Sequence, residues 1–182
     1  EPNPPNWPHT VYVFGPDSPH INATVTRLYG GSDWRQEIYK DQRAALLFKP
    51  GKYKVDIPVG YYTTVHGLGT HPNDVAFEGP NAVHQGEYGD PSANSGTFWR
   101  SAENLVNRPS SGRTLWSVSQ AAPLRRMLVE GDLLLGTAAN TQGSGGFISG
   151  VRVMGLLNFT MQQQWMVRNC DLSAAGISYY ED

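Results

Sequence analysis

From Ala44 to the end of the chain, apolar runs of three to six residues recur between Gly, Pro and Asn. No run in that stretch reaches the length of an ordinary helix, about 11 residues, and Val, Leu, Phe and Tyr dominate the runs. The pattern predicts short strands at about 45–48, 52–57, 61–66, 75–78, 98–100, 115–118, 126–130, 132–135, 147–153, 156–159 and 164–168. Twenty Gly and thirteen Pro in 182 residues agree with many short elements joined by turns.

The first 43 residues differ. Residues 1–10 form a Pro-stiffened arm, and Val11-Tyr12-Val13-Phe14, ended by Gly15-Pro16, is a strand candidate. Ser18 is placed to cap a helix with Pro19 at its first position, and Ile21, Val25, Leu28 and Tyr29 fall on one face. Gly30-Gly31 would stop it, which predicts a helix at about 19–29. Residues 32–42 carry no pattern that assigns them.

A weak internal repeat decides between architectures. Leu128-Val129-Glu130-Gly131-Asp132-Leu133-Leu134, Gly150-Val151-Arg152-Val153-Met154-Gly155-Leu156-Leu157 and Met166-Val167-Arg168-Asn169-Cys170-Asp171-Leu172 share an apolar-Val-charged start, the Val residues being 22 and 16 positions apart. A period near 20 built from short strands predicts an all-β solenoid in which each coil covers the apolar face of its neighbour. The unequal spacing leaves open whether the middle segment is a full coil or another side of one coil. An antiparallel sandwich would instead call for tight Asn-Gly or Asp-Gly hairpins, and neither dipeptide occurs.

Ala45-Leu46-Leu47-Phe48-Lys49-Pro50-Gly51-Lys52-Tyr53-Lys54-Val55, followed by Thr64-Val65-His66-Gly67-Leu68-Gly69, resembles the opening coils of the pectate-lyase-like superfamily. Val59 to Thr63, Phe98 to Leu105, Trp116 to Pro123 and Gln162 to Trp165 resemble a narrower group of secreted fungal and bacterial members. The resemblance implies a right-handed parallel β-helix, its corners turned by Gly, with the 19–29 helix as a cap. The organisation expected is an arm, strand and capping helix over 1–43 and coils over 44–182. It also implies polysaccharide cleavage, by hydrolysis or β-elimination, in a groove along the helix.

Composition removes several function classes. A net charge of −2 and a pI near 6.2 give no basic footprint for nucleic acid. No window nears the roughly 18 apolar residues of a membrane span, and Glu1 to His9 does not resemble a signal peptide. The single cysteine, Cys170, rules out an internal disulfide framework. Sequons at Asn22-Ala23-Thr24 and Asn158-Phe159-Thr160 make Asn22 and Asn158 candidate glycosylation sites and add lightly to the secreted, extracellular setting that the resemblance implies.

Glycoside hydrolysis needs two carboxyl groups flanking the bond, about 5 to 5.5 Å apart for retention or about 6.5 to 9.5 Å for inversion. Asp132 and Asp171 occupy matching places in the repeat and are the first candidates, unless both are turn residues facing water. Glu103 is the third, either as a general acid or as a structural partner of Arg100. Glu130, Arg152 and Arg168 each follow the repeated Val and would stack in a ladder; there Arg152 and Arg168 either pair between coils or bind substrate. Trp99, Trp116 and Trp165 are sugar platforms or core aromatics. The histidines show no metal-ligand spacing, and neither a nucleophile elbow nor a phosphate-binding loop is present, so no metal or cofactor is expected.

The reading is a carbohydrate-active enzyme, a glycoside hydrolase using paired carboxylates on an extracellular or cell-wall polysaccharide. A lyase acting on uronates and a non-catalytic carbohydrate-binding solenoid are the alternatives. The repeat amounts to about five or six coils without a recognisable C-terminal cap, which predicts a second chain from the same precursor completing the helix.

Overall fold

The computed structural model describes residues 5–29, 41–85, 97–136, 145–160 and 163–179. The proposed stop at Gly30-Gly31 and residues 32–40 lie outside the described residues, as does Gln162. The described residues are predominantly β with one α-helix. Its strands are β1 (Val11–Phe14), β2 (Ala44–Phe48), β3 (Gly51–Tyr53), β4 (Ile57–Pro58), β5 (Thr63–Gly67), β6 (Val75–Phe77), β7 (Val83–His84) and β8 (Arg100–Asn107). They continue as β9 (Arg113–Leu115), β10 (Pro123–Val129), β11 (Asp132–Leu134), β12 (Phe147–Ser149), β13 (Arg152–Val153), β14 (Leu156–Thr160), β15 (Met166–Arg168) and β16 (Gly176–Tyr179). A ten-stranded sheet runs in the order β1-β2-β5-β8-β10-β12-β15 with β3, β6 and β13 attached; β9-β11-β14-β16 form a second sheet and β4-β7 a third.

Every named pairing is parallel. Parallel neighbours cannot be joined by a tight hairpin, which is why the sequence lacks hairpin dipeptides. In the large sheet Ala102, Leu124, Ile148 and Val167 are register partners 22, 24 and 19 residues apart. In the second sheet Thr114, Leu133, Leu157 and Ile177 are 19, 24 and 20 apart. The repeat of about 20 residues is therefore a repeat of pairing. The three repeated Val residues do not share one column, however: Val129 pairs with Val153 and Leu133 with Leu157, so the middle segment follows the first by one full repeat, whereas Val167 pairs with Ile148 and the third segment starts on another side.

In β2 and β5 every second residue is buried, the alternation a pleated strand produces. Leu46, Val65, Ala102, Leu124 and Ile148 line one column, and Phe48, Tyr53 and Phe77 make a buried aromatic cluster. Phe48 meets Phe77 edge-on at 4.8 Å, and Tyr53 stacks on Phe77 at 5.3 Å. The Tyr53 hydroxyl donates to the Lys49 carbonyl at 2.7 Å, so the ring is buried with its polar tip satisfied.

Helix α1 (Ile21–Tyr29) buries Ile21, Val25 and Leu28, the face read from the sequence. It begins two residues later than Pro19. Ser18 does not cap it; the Ser18 Oγ accepts from the Gly15 amide at 2.8 Å, closing the turn after β1.

Left-handed residues turn the corners, and they are mostly not glycines. Tyr62, Trp99, Ala121 and Gln164 have φ of 53°, 47°, 57° and 58° just before β5, β8, β10 and β15. A second row, Asn104, Arg126, Gly150 and Asn169, has φ of 58°, 49°, 63° and 53°. Gly67 serves differently: a Cβ there would lie 2.1 Å from the Asn104 carbonyl oxygen, so Gly is needed for close approach of two backbones.

Candidate functional site

Outward positions of the large sheet put His66, Glu103, Arg125, Ser149 and Arg168 in one register row. Glu103 lies between two side chains, with His66 Nδ1 at 3.0 Å and Arg125 Nε at 3.8 Å. The alternative pair with Arg100 does not form, because residues three apart on a strand point to opposite faces. Arg100 points inward, 2% exposed. Its Nη1 donates to the Val59 and Gln85 carbonyls at 2.7 and 2.9 Å.

Asp132 and Asp171 belong to different sheets. Asp132 opens β11, opposite Arg113, and its Oδ1 accepts from the Leu156 amide at 2.9 Å. Asp171 bridges to Arg152 beside the large sheet. Its Oδ1 accepts from the Ser173 hydroxyl at 2.6 Å and the Ser173 amide at 3.1 Å, and Arg152 Nε is 3.3 Å from Oδ2. The Ser173 hydroxyl, then its amide, and Arg152 hold the Asp171 carboxyl below its usual range. The position in register with Asp132 on the neighbouring strand β14 is Leu156, not Asp171.

The expected ladder of Glu130, Arg152 and Arg168 divides among three rows. Glu130 meets Arg108, which spans two acids: its Nε is 2.5 Å from Glu130 Oε2, and its Nη1 is 2.8 Å from Glu78 Oε1. The Arg108 hydrogen bonds hold the Glu130 carboxyl below its usual range. Arg152 follows Leu128 in register, and Arg168 follows Ser149.

The three tryptophans divide as well. Trp99 is 42% exposed and stacks on Tyr62 at 5.2 Å and 11°, while the Arg43 guanidinium lies 4.0 Å from the Tyr62 ring centroid. Trp116 is fully buried, its Nε1 donating to the Ala122 carbonyl at 2.9 Å, so no ring face is left for a sugar. Trp165 is half-buried over Gly146, where a Cβ would come within 2.3 Å of its ring. Asn22 is exposed on α1, and Asn158 lies in β14 with Oδ1 accepting from the Thr160 amide at 2.8 Å. Among the described residues no three His, Cys, Asp or Glu side chains converge as metal ligands would.

The 3-10 turn Pro72–Asp74 follows β5 and lies on the outer face of β8 and β10. A cleft of about 390 Å³ opens on one side of it, between His71, Asn73, Leu128, Arg152, Asn169 and Asp171. A second, about 350 Å³, opens on the other side and shares Asn73. Sequence reasoning missed Asn73 and Asn169. The asparagine at Asn169 was a usable signal, since Asn tolerates the left-handed corner; nothing local marks where the turn carrying Asn73 docks.

No family model matches the chain. Over 168 residues it is 39% identical to an exo-β-1,3-glucanase of Streptomyces sp. (strain SirexAA-E / ActE), an alignment covering 91% of this chain and 27% of that protein. The chain is similar to an exo-β-1,3-glucanase. The structure of sacteLam55A from Streptomyces sp. SirexAA-E superposes with a TM-score of 0.74 at 34% identity, over 93% of this chain and 31% of that one. An ensemble-refined variant of sacteLam55A in complex with glucose gives 0.76 at 32% identity, over 94% and 32%. The chain thus spans 27% to 32% of the length of these relatives. These matches replace the pectate-lyase-like assignment: the motifs behind it report short parallel strands and sharp corners, which a β-1,3-glucanase shares.

Proposed function

We propose that this chain forms part of a secreted glycoside hydrolase that cleaves β-1,3-glucan. The observation that carries the reading is the 39% identity to an exo-β-1,3-glucanase over 91% of the chain. In this reading residues 44–182 are coils of a right-handed parallel β-helix, and residues 1–43 supply the arm, first strand and capping helix. Support comes from parallel register at intervals of about 20 residues and from the buried face of α1.

The three candidate carboxylates each have other partners. Asp132 binds a backbone amide, Asp171 binds Ser173 and Arg152, and Glu103 sits between His66 and Arg125. The proposal accordingly gives this chain the scaffold and glucan contacts, Trp99 among them, and gives the paired carboxylates to the remainder of the enzyme. Val167 and Ile177 support a polypeptide partner that continues the stack, on the same chain or a second one. They occupy buried columns yet are 40% and 52% exposed. Exposed Asn22 and the strand residue Asn158 are the glycan attachment points of this reading.

The test is release of glucose from β-1,3-glucan by the polypeptide carrying this chain. A product absorbing in the ultraviolet as an unsaturated uronate would instead establish a lyase. Binding without turnover would leave a carbohydrate-binding protein.

A further inference from the structure

The two clefts flanking the Pro72–Asp74 turn lie along a single register row. Ala76, Val106, Leu128, Arg152 and Asp171 are successive partners across β6, β8, β10, β13 and the Asp171 bridge. At about 4.8 Å per strand step the row is about 19 Å long, enough for several sugar units. Ala76 and Val106 are almost wholly buried, Leu128 is its half-buried apolar position, and its far end is polar at Arg152, Asn169 and Asp171. A pyranose has this same duality, a C–H face that packs on apolar surface and an equatorial rim of hydroxyls that need donors and acceptors.

The charges along the row are already matched. Arg152 is 3.3 Å from Asp171, Arg108 lies between Glu78 and Glu130, and Lys52 is 3.8 Å from Glu78. Asp74 accepts from the His71 amide at 2.9 Å. A polyuronate would need surplus cations, and binding it here would require breaking these pairs; a neutral glycan makes no such demand.

We infer that the outer face of the large sheet, on both sides of the Pro72–Asp74 turn, is a binding groove for an uncharged oligosaccharide. On the glucanase reading, which this inference rests on, the ligand is a β-1,3-linked glucan segment. Asn73 reaches both clefts and hydrogen-bonds the sugar between them; Arg152 and Asp171 bind hydroxyls at one end, and Leu128 supports a ring face.

Hydrogen exchange on the full polypeptide, with and without a β-1,3-gluco-hexasaccharide, tests the groove. Amides at 71, 73, 74, 150–152 and 169–171 are expected to exchange at least about threefold more slowly with the sugar. Asn73→Trp, which fills the groove from an exposed position, and Arg152→Ala are each expected to weaken hexasaccharide binding by about tenfold with the melting temperature of Asn73→Trp unchanged. Hexasaccharide protection confined to other segments, while β-1,3-glucan is still hydrolysed, would overturn the groove and leave the glucanase reading standing. Amides already protected to the same level before sugar is added would also overturn it, the face then being covered by other polypeptide. Protection by oligogalacturonate in place of the gluco-hexasaccharide would overturn the neutral specificity, and absence of β-1,3-glucan hydrolysis would separately remove the glucanase reading.

Discussion

Asn104 meets two demands with one side chain. Its φ of 58° turns the chain within β8, and its buried Nδ2 donates to the Gly67 and Gly69 carbonyls at 2.7 and 2.8 Å. Asn104→Ala should cost about 3 kcal/mol in urea unfolding, from two carbonyls left without a donor and a strained backbone. Asn104→Gly should recover only the backbone part. Glu130 ties stability to pH. Its folded carboxyl titrates below the ordinary value of 4.5 because Arg108 binds the ionised form. The stabilisation is therefore full above the unfolded value and lost as pH falls through the lower folded one. Glu130→Gln should flatten the stability curve in that acidic window, and added salt should reduce the difference because the pair is partly exposed. Trp99→Ala should weaken β-1,3-glucan affinity by up to about tenfold, the worth of one exposed stacking face, measured by affinity electrophoresis.

Glycines at the element ends divide by mechanism, and the division is measurable. At Gly67 an added Cβ would meet backbone at 2.1 Å, so Gly67→Ala should destabilise by about 3 kcal/mol through displaced strands. Gly112 has φ of 73° with open space around it; Gly112→Ala should cost only about 1 kcal/mol, the left-handed penalty alone. Paired thermal melts of the two variants separate crowding from dihedral strain. Corners also explain which predicted strands moved. The 52–57 strand divides into β3 and β4 at Lys54–Asp56, and the 147–153 strand divides into β12 and β13 at Gly150–Val151. The 98–100 strand instead grows into β8, since the left-handed Asn104 bends the chain without ending its pairing.

Across the whole molecule, stability comes from columns in which each side chain is covered by the next, and a column is only as stable as its last cover. Val167→Ser should cost less than about 1 kcal/mol in the 182-residue chain expressed alone, where Val167 is 40% exposed. In the full polypeptide the same change should cost about 2 kcal/mol if a following coil buries it, as the proposal holds; equal losses in the two would remove that continuation. The strand-rich class, the amphipathic face at Ile21, Val25 and Leu28, and a spacing near 20 were legible because they depend on local alternation and on Gly and Pro punctuation. Site residues were less legible. Spacing along the chain put Asp132 with Asp171 and Arg100 with Glu103, whereas register put Leu156 opposite Asp132, and Arg100 and Glu103 on opposite faces. By itself the sequence determined that this chain builds short strands repeating about every 20 residues. Only the tertiary structure decided which side chains meet, because partners in a parallel sheet come from distant segments and a one-residue shift in register moves every side chain to the other face.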